Sequence, residues 1–197
     1  RFFPAWGLKL QDDGAFVSYT SGGRSFNTSV DGLEMGRSGE GTSWFLSVAD
    51  GTDTDPLLTV SAYKLWDEVG GFSHTLAGIS AYHDTPENRE INAFAAFGGV
   101  SARRTTVLLQ ANLLDDDIDV GVDEQAWAVY GEANYLWRDW MNTKVAFDIH
   151  DPNDNKAEDT RTRISFGIEP FIDRFLQLRL FYRIFNGPEN DPSTNRD

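Results

Sequence analysis

The chain contains no cysteine, and this absence removes several classes of chemistry. Disulfide scaffolds, thiolate metal sites, cysteine nucleophiles and c-type haem attachment within this chain are all excluded. No apolar run reaches the roughly 18 residues that a membrane-spanning helix requires. Basic residues are few, because 17 Lys and Arg stand against 31 Asp and Glu, a net charge of -14. Binding to nucleic acid or to an anionic membrane surface is therefore disfavoured.

The composition of the 197 residues is that of a folded chain. Hydrophobic residues make up 40% and aromatic residues 13%, which is too much for a disordered segment. The residues show no signal peptide, and Arg1 is not a natural start. We therefore expect a mature or excised piece whose targeting segment lies outside it.

Apolar residues recur with a period of two along almost the whole chain, which predicts β-strands rather than helices. The strand predicted over Phe175–Phe185 is the clearest, since one face is wholly apolar and the other carries Arg179 and Arg183. Two further predicted strands, Leu57–Trp66 and Phe72–His83, have two faces of such similar composition that the sequence does not show which one is the apolar face. The other predicted strands are Arg161–Glu169, Asn142–His150, Ala126–Tyr135, Arg104–Leu113, Glu90–Gly99, Ser43–Ala49, Val30–Arg37 and the end of one over Arg1–Leu8.

The connections alternate between short turns and longer acidic loops. The short ones are Ser38–Gly41, Asp67–Gly71, Val100–Ala102, Arg138–Met141 and Pro170–Asp173. The longer ones are Asp50–Pro56, Asp84–Glu90, Leu114–Glu124, His150–Arg161 and Asn186–Asp197, and they carry 19 of the 31 acidic residues. Because the two kinds alternate, we expect all the turns at one end of an up-and-down sheet and all the acidic loops at the other.

Tryptophan and phenylalanine concentrate near the short turns, as at Trp44, Trp66, Trp137 and Trp140. Apolar faces, charged opposite faces, aromatic ends and strands of about 8 to 13 residues are typical of an outer-membrane β-barrel. The alternative is a soluble antiparallel sandwich or lipocalin-like barrel, in which the apolar faces would form the core.

Two stretches resemble a known family. The N-terminal RFFPAWGLKLQDD is similar to a segment of large Gram-negative porins related to the phosphate-selective family, and DGLEMGRSGEGTSWFLSVADG resembles the hairpin that follows there. The barrels of porin and multihaem cytochrome complexes look similar. The resemblance implies a transmembrane antiparallel up-and-down β-barrel in the bacterial outer membrane.

The strand count predicts an incomplete barrel. With Arg1–Leu8 included, eleven strands are expected, and single-chain bacterial barrels have an even number. We therefore expect residues 1–197 to form a single incomplete barrel domain, a fragment of a larger barrel. The segment Gln11–Ser29 is a candidate loop that folds inward and narrows the pore.

The charged positions on the predicted inner faces are the candidate pore-lining residues. They are Arg104, Glu132, Lys144, Asp148, Arg163, Glu169, Arg179 and Arg183. Opposed rings of such charges set a transverse field across a pore. The alternative interpretation is that they only solvate the inner wall.

No catalytic, metal or cofactor site is predicted. Asp115, Asp117 and Asp119 have the alternating spacing of a calcium loop, but Val120 stands where that loop needs glycine, so a solvated acidic loop is the better interpretation. The alternative is loose binding of divalent cations that bridge lipid head-group phosphates. His74, His83 and His150 are scattered, and no Gly-x-Ser-x-Gly motif occurs. The chain is therefore not expected to be an enzyme.

Three functions follow as hypotheses. The first is a passive outer-membrane diffusion channel for small hydrophilic solutes or ions, in contact with the bilayer and lipopolysaccharide. The second is a barrel sleeve around a periplasmic multihaem cytochrome, and the third is a soluble β-barrel binding protein. Transported solute, homo-oligomer formation and a periplasmic partner stay open.

Overall fold

A computed structural model describes residues 20–21, 24–25, 32–50, 56–85, 89–118, 124–155, 159–173 and 176–187. All helical or strand structure in these ranges is β-strand, which confirms the predicted all-β class. Within the same ranges, no helix is long and apolar enough to span a membrane.

Thirteen strand segments are present in the described ranges. β1 (Thr20–Ser21) and β2 (Arg24–Ser25) form a separate two-stranded ladder. One large sheet contains β3 (Gly32–Gly39), β4 (Thr42–Asp50), β5 (Pro56–Val69), β6 (Phe72–Asp84), β7 (Arg89–Ala102), β8 (Thr105–Ile118), β9 (Glu124–Arg138), β10 (Met141–Asp151), β11 (Arg161–Asp173), β12 (Leu176–Gln177) and β13 (Leu180–Asn186).

The large sheet is an antiparallel meander. Each strand from β3 to β11 pairs with its neighbours in sequence, and β12 and β13 both pair with β11, so the sheet has ten strand positions. Among the described residues no ladder joins β3 to β12 or β13, and the sheet is open. Ten of the eleven predicted strands are found. The predicted strand over Arg1–Leu8 lies outside the described residues, as does most of the predicted loop Gln11–Ser29.

The turns between β3 and β4 and between β5 and β6 have two residues each. Glu40 and Gly41 have φ of 50° and 74°, and Gly70 and Gly71 have φ of 60° and 86°. Two consecutive positive φ angles are the geometry of hairpin turns whose twist matches that of the flanking strands. Neighbouring hairpins are tied together at the same end of the sheet, for example by the amide of Leu65, which donates to the carbonyl of Gly41 (2.6 Å).

Several strands extend further than the sequence predicts. β7 continues to Ala102, so the turn predicted at Val100–Ala102 is wrong and instead occupies residues 103–104. β8 continues to Ile118 into the predicted acidic loop, and β11 continues through the turn predicted at Pro170–Asp173. Acidic composition indicated a loop, but pairing of residues 115 and 116 with residues 125 and 124 continues the ladder.

β12 and β13 are two pieces of one edge strand, and Pro170 explains the break. The amide of Leu178 donates to the carbonyl of Pro170 (3.0 Å). Proline has no N–H to return that bond, so the ladder between β11 and the edge strand is interrupted at this pair. The register of the pair Phe171 and Gln177 nevertheless continues into β13.

The two faces of the sheet have opposite polarity, and the polar one is buried. We call the face that carries Ser80, Asn112 and Asp148 the polar face; their exposed fractions are 4%, 2% and 0%. On the opposite, apolar face, Leu109 is 59% exposed and Ile79 is 64% exposed. The polar face also holds an apolar cluster near the loop end, made of Leu57, Tyr82, Ile91, Ala93, Leu114, Ala126 and Ala128. A water-soluble sheet has the reverse arrangement, with its apolar face buried.

Candidate functional site: the polar face

Five predicted site residues lie together on the polar face of β9, β10 and β11. We call this group the charged wall: Glu132, Lys144, Asp148, Arg163 and Glu169, all with exposed fractions between 0% and 7%. Strand alternation explains why they share a face, because Glu132 aligns with Ala146 between Lys144 and Asp148 on the next strand. The structure places all five on one buried face of the sheet, while their role as pore-lining residues stays a prediction.

Lys144 is the centre of the charged wall. Its Nζ lies 3.4 Å from Oε2 of Glu132 on β9 and 3.6 Å from Oε1 of Glu169 on β11. The three side chains are only 3% to 8% exposed, so water screens these ion pairs weakly. The lysine thus links three strands by charge as well as through the backbone ladder.

Neutral polar groups complete the surroundings of the two glutamates. The hydroxyl of Tyr130 and the amide of Asn134 both donate to Glu132. Nδ2 of Asn142 donates to Oε2 of Glu169 (2.9 Å). Such bonds offset the desolvation of buried carboxylates, which would otherwise disfavour their charged forms.

Two further ion pairs lie on the polar face. Asp148 and Arg163 are direct cross-strand partners, and Nε of Arg163 donates to Oδ2 of Asp148 (2.9 Å). Nearer the loop end, Nε of Arg89 donates to Oδ1 of the fully buried Asp116 (2.8 Å). The second pair was not predicted, because both residues fall in segments interpreted as acidic loops. Asp116 lies four residues after Asn112, and strand alternation would have placed both side chains on the same face.

The remaining predicted site residues fall at the margins. Arg183 pairs in register with buried Ser165, so it belongs to the polar face, but it lies on the exposed edge strand. Arg179 lies between β12 and β13, also exposed. The prediction that Arg104 belongs to a strand is wrong, because β8 begins at Thr105. Its guanidinium reaches the next turn, where Nη2 donates to Oδ1 of Asp139 (3.0 Å).

The polar face of β4 to β7 is different in character. Ser43, Thr59 and Ser80 are buried there, and Phe45 stacks on Tyr63 with ring centroids 6.4 Å apart and planes inclined by 26°. Aromatic and hydroxyl groups thus replace the ion pairs of the charged wall.

Two members of the acidic triplet lie on a strand. Asp115 and Asp117 lie on β8, an extended strand rather than a loop, and Nε2 of Gln125 donates to Oδ1 of Asp115 (3.2 Å). Asp119 lies outside the described residues. Within the part of the chain that the structure describes, no group of three or more His, Cys, Asp or Glu could hold a metal ion.

Two of the three histidines pair across strands near the sheet ends. Nδ1 of His74 lies 2.8 Å from Oδ1 of Asp67, and both side chains are more than half exposed. Nδ1 of His83 lies 2.9 Å from Oδ1 of Asn92. These contacts fit the sequence interpretation of rim residues.

Comparison with known proteins gives no further assignment: no protein-family model, no curated protein and no solved structure matches the chain. The arrangement of the polar face is therefore the basis for a functional proposal.

Proposed function

We propose that the chain forms the wall of an outer-membrane β-barrel that acts as a passive diffusion channel for small hydrophilic solutes or ions. The observation that carries the proposal is the inverted polarity of the sheet. Charged Asp148 and Lys144 are buried, whereas Val145 and Phe147 between them are 48% and 42% exposed. A membrane barrel requires this order, with apolar side chains toward lipid and polar side chains inside.

The extent of the exposed apolar face supports lipid as its surroundings. Exposed apolar side chains recur on every strand from β3 to β11 and on β13, among them Leu33, Val48, Val60, Ile79, Phe94, Leu109, Val129, Val145, Ile164 and Ile184. Each Å² of apolar surface left in water costs about 25 cal/mol, and monomeric soluble proteins rarely expose large contiguous apolar patches. The strands β5 to β11 have 11 to 15 residues, enough for the roughly 9 to 11 of a tilted spanning strand.

Aromatic side chains mark the turn end of the apolar face. Trp44 is 41% exposed, Trp137 57% and Trp140 56%, and all three lie within three residues of a tight turn. Tyr135 contacts Trp137 edge to face, with centroids 6.0 Å apart. Amphipathic rings favour the membrane–water interface, so this end is expected to lie at the level of the lipid headgroups.

In this proposal the edges β3 and β13 are paired in the membrane, because lipid offers no hydrogen bonds to open backbone groups. The expected surroundings are phospholipid and lipopolysaccharide, and the location is the bacterial outer membrane. The channel carries out no catalysis.

A second function is a sleeve around a periplasmic multihaem cytochrome. The feature that favours it is the mutual pairing of the charges in the charged wall, where Lys144 serves Glu132 and Glu169, and Arg163 serves Asp148. A wall whose charges neutralise one another suits an insulating sleeve.

Reconstitution of the full-length protein in planar bilayers distinguishes the candidates. Stepwise ion conductance is expected for the channel. A silent barrel that co-purifies with haem would support the sleeve, and a monomer that stays in solution without detergent would contradict both membrane proposals.

A matched pair of variants tests the facing of the sheet. Leu109→Arg on the apolar face should destabilise the folded protein in vesicles by about 2 to 4 kcal/mol if it lies near the bilayer midplane. The control is Gln110→Arg on the polar face of the same strand. Surface substitutions in water stay within about 0.5 kcal/mol, so a negligible effect of Leu109→Arg would refute contact with lipid.

A further inference from the structure

Three phenylalanines on the polar face lie directly across from glycines of the neighbouring strand. The pairs are Gly36 with Phe45, Gly78 with Phe97, and Gly167 with Phe181. A Cβ built on each glycine would lie only 2.4 to 2.5 Å from the phenylalanine ring. Each ring therefore lies against the glycine backbone, in space that any other residue would fill. Phe45 and Phe181 each keep a partly exposed ring, whereas Phe97 is almost fully buried.

The ring of Phe181 shows what such an aromatic group does within the charged wall. Nζ of Lys144 lies 5.7 Å and Cζ of Arg183 5.5 Å from its centroid. Cations are attracted to the negative face of an aromatic ring. The polar-face aromatic on this side is thus engaged by the protein's own cations.

The rings on β4 to β7 have different neighbours. We call Phe45, Tyr63 and Phe97 the aromatic strip. Phe45 stacks on Tyr63, and the Cβ of Tyr63 lies 2.6 Å from the position that a Cβ of Gly78 would take, beside the Phe97 ring. Phe45 and Tyr63 are partly exposed, and Phe97 is 5% exposed behind them. In the described part of the chain, cations lie over the rings of Trp66 and Phe181, whereas none lies over a ring of the strip.

Hydroxyl groups are frequent around the strip, and one acidic residue, Glu34, shares the face as the partner of Ser47 on β4. Ser43 is the cross-strand partner of Tyr63, and Ser61 is the partner of Phe45. Ser80 follows two residues after Gly78 on the same face. An anionic solute at this position would lose hydration without gaining an ion pair, which is costly. A neutral solute with many hydroxyl groups would keep its hydrogen bonds.

We propose that the aromatic strip is a binding site for neutral, polyhydroxylated solutes, that is, carbohydrates, passing along the interior. A sugar ring has an apolar face of C–H groups, whose partial positive charge suits the negative face of an aromatic ring, and a rim of hydroxyls that can bond the partly exposed Ser61 opposite Phe45. This inference rests on the proposed channel, since the solute must reach the polar face.

The probes are glucose and maltohexaose, with gluconate as a charged comparison. Their effect is measured on the ion current of the full chain in planar bilayers and, independently, by calorimetric titration of the detergent-solubilised protein. Neutral sugars are expected to block the current and to bind more tightly than gluconate. Removing both accessible rings in Phe45→Leu/Tyr63→Leu should weaken binding about tenfold or more.

Matched variants separate loss of the site from loss of the fold. Tyr63→Phe keeps the ring and should keep most of the affinity. Phe94→Leu removes an exposed ring from the apolar face of β7, and Phe181→Leu removes the ring engaged by cations; both should bind sugar as the parent does.

The possible results point in different directions. Ion current that no sugar alters, together with calorimetry that detects no sugar binding, would overturn the strip and leave the channel intact. Sugar binding in detergent with silent bilayers would contradict the channel and retain the strip. Equal affinity of the parent and the double variant would overturn the assignment to Phe45 and Tyr63.

Discussion

The charged wall and the aromatic strip occupy the same face of the same sheet and share one structural device, yet they present opposite chemistry. In both regions a phenylalanine lies against a cross-strand glycine. On the charged wall the ring of Phe181 faces Lys144 and Arg183, whereas the strip carries stacked rings between hydroxyls. The backbone arrangement alone therefore does not determine what a wall can contact.

The comparison also indicates that the buried charges of the charged wall need not determine the ion selectivity of a channel. Each acidic residue of the charged wall lies beside a cation: Lys144 serves Glu132 and Glu169, and Arg163 serves Asp148. Paired charges cancel much of each other's field at a distance. The charged wall is thus expected to contribute mainly to stability, and the exposed edge residues to the field that a permeating ion meets.

The largest effect is expected at the centre of the charged wall. Lys144→Met leaves Glu132 and Glu169 buried without their shared cation, which should cost about 3 to 5 kcal/mol of folding stability. Urea unfolding in vesicles measures it. Lys64→Met is the control, because Lys64 is exposed on the apolar face over the Trp66 ring (5.4 Å), and a loss below about 1 kcal/mol is expected there. Similar losses in both variants would show that the charged wall is not energetically distinct.

The shared glycine device gives the next largest effect. Gly78→Ala places a methyl group 2.4 Å from the Phe97 ring and 2.6 Å from the Cβ of Tyr63, and should destabilise by about 1 to 3 kcal/mol. Gly39→Ala has no atom within 4 Å of the new Cβ and serves as the control. The two variants are compared by the midpoint of denaturant unfolding, with the dependence of the unfolding free energy on denaturant concentration unchanged. Tolerance of alanine at Gly78 would mean that the ring is not held against the glycine.

A smaller effect is expected on ion selectivity. Replacing Arg179 and Arg183 together with glutamine should shift permeability toward cations, because the acidic loops already attract them. Two charges 4 Å apart in water interact by about 1 kcal/mol, so the shift should stay below that value and shrink as salt increases. Reversal potentials in a salt gradient measure it. Unchanged potentials would show that neither arginine faces the permeation path.

The smallest effect is expected at Arg104, outside the charged wall. Its partner Asp139 is 87% exposed and the guanidinium side chain is 49% exposed. Exposed ion pairs contribute about 0.2 to 1 kcal/mol, so Arg104→Gln should change unfolding free energy by no more than that. A loss comparable to that of Lys144→Met would place Arg104 in the buried network after all.

The sequence predicted the faces of the later strands correctly because charge and apolar residues alternate there without interruption. Arg163 is buried and Ile164 is 37% exposed, as the alternation over Arg161–Glu169 indicates. The same rule could not assign the residues of β5 to the two faces, because Leu57 and Leu58 are both apolar. The structure buries Leu57 at 6% and exposes Leu58 at 39%. Pairing with neighbouring strands, rather than local composition, fixes that choice.

The ion pairs were less accessible to sequence reasoning than the faces. Parity shows that Lys144, Glu132 and Glu169 share a face, but which of them meet depends on turn lengths. The β9–β10 hairpin has a register shift between Met141 and Asn142, which sets the height of Lys144 opposite Asn134. The aromatic strip was missed for a related reason, since Gly78 and Phe97 become neighbours only through the ladder.

The position of Lys144 between two glutamates also bears on how the sheet assembles. A slip of β10 by one residue would turn its ammonium toward the apolar face, and a slip by two would move it along the strand by about 7 Å, away from both carboxylates. Either slip would leave Glu132 and Glu169 buried without their shared cation. The lysine thus adds an energetic penalty to wrong strand registers, beyond the penalty that the apolar and polar faces impose.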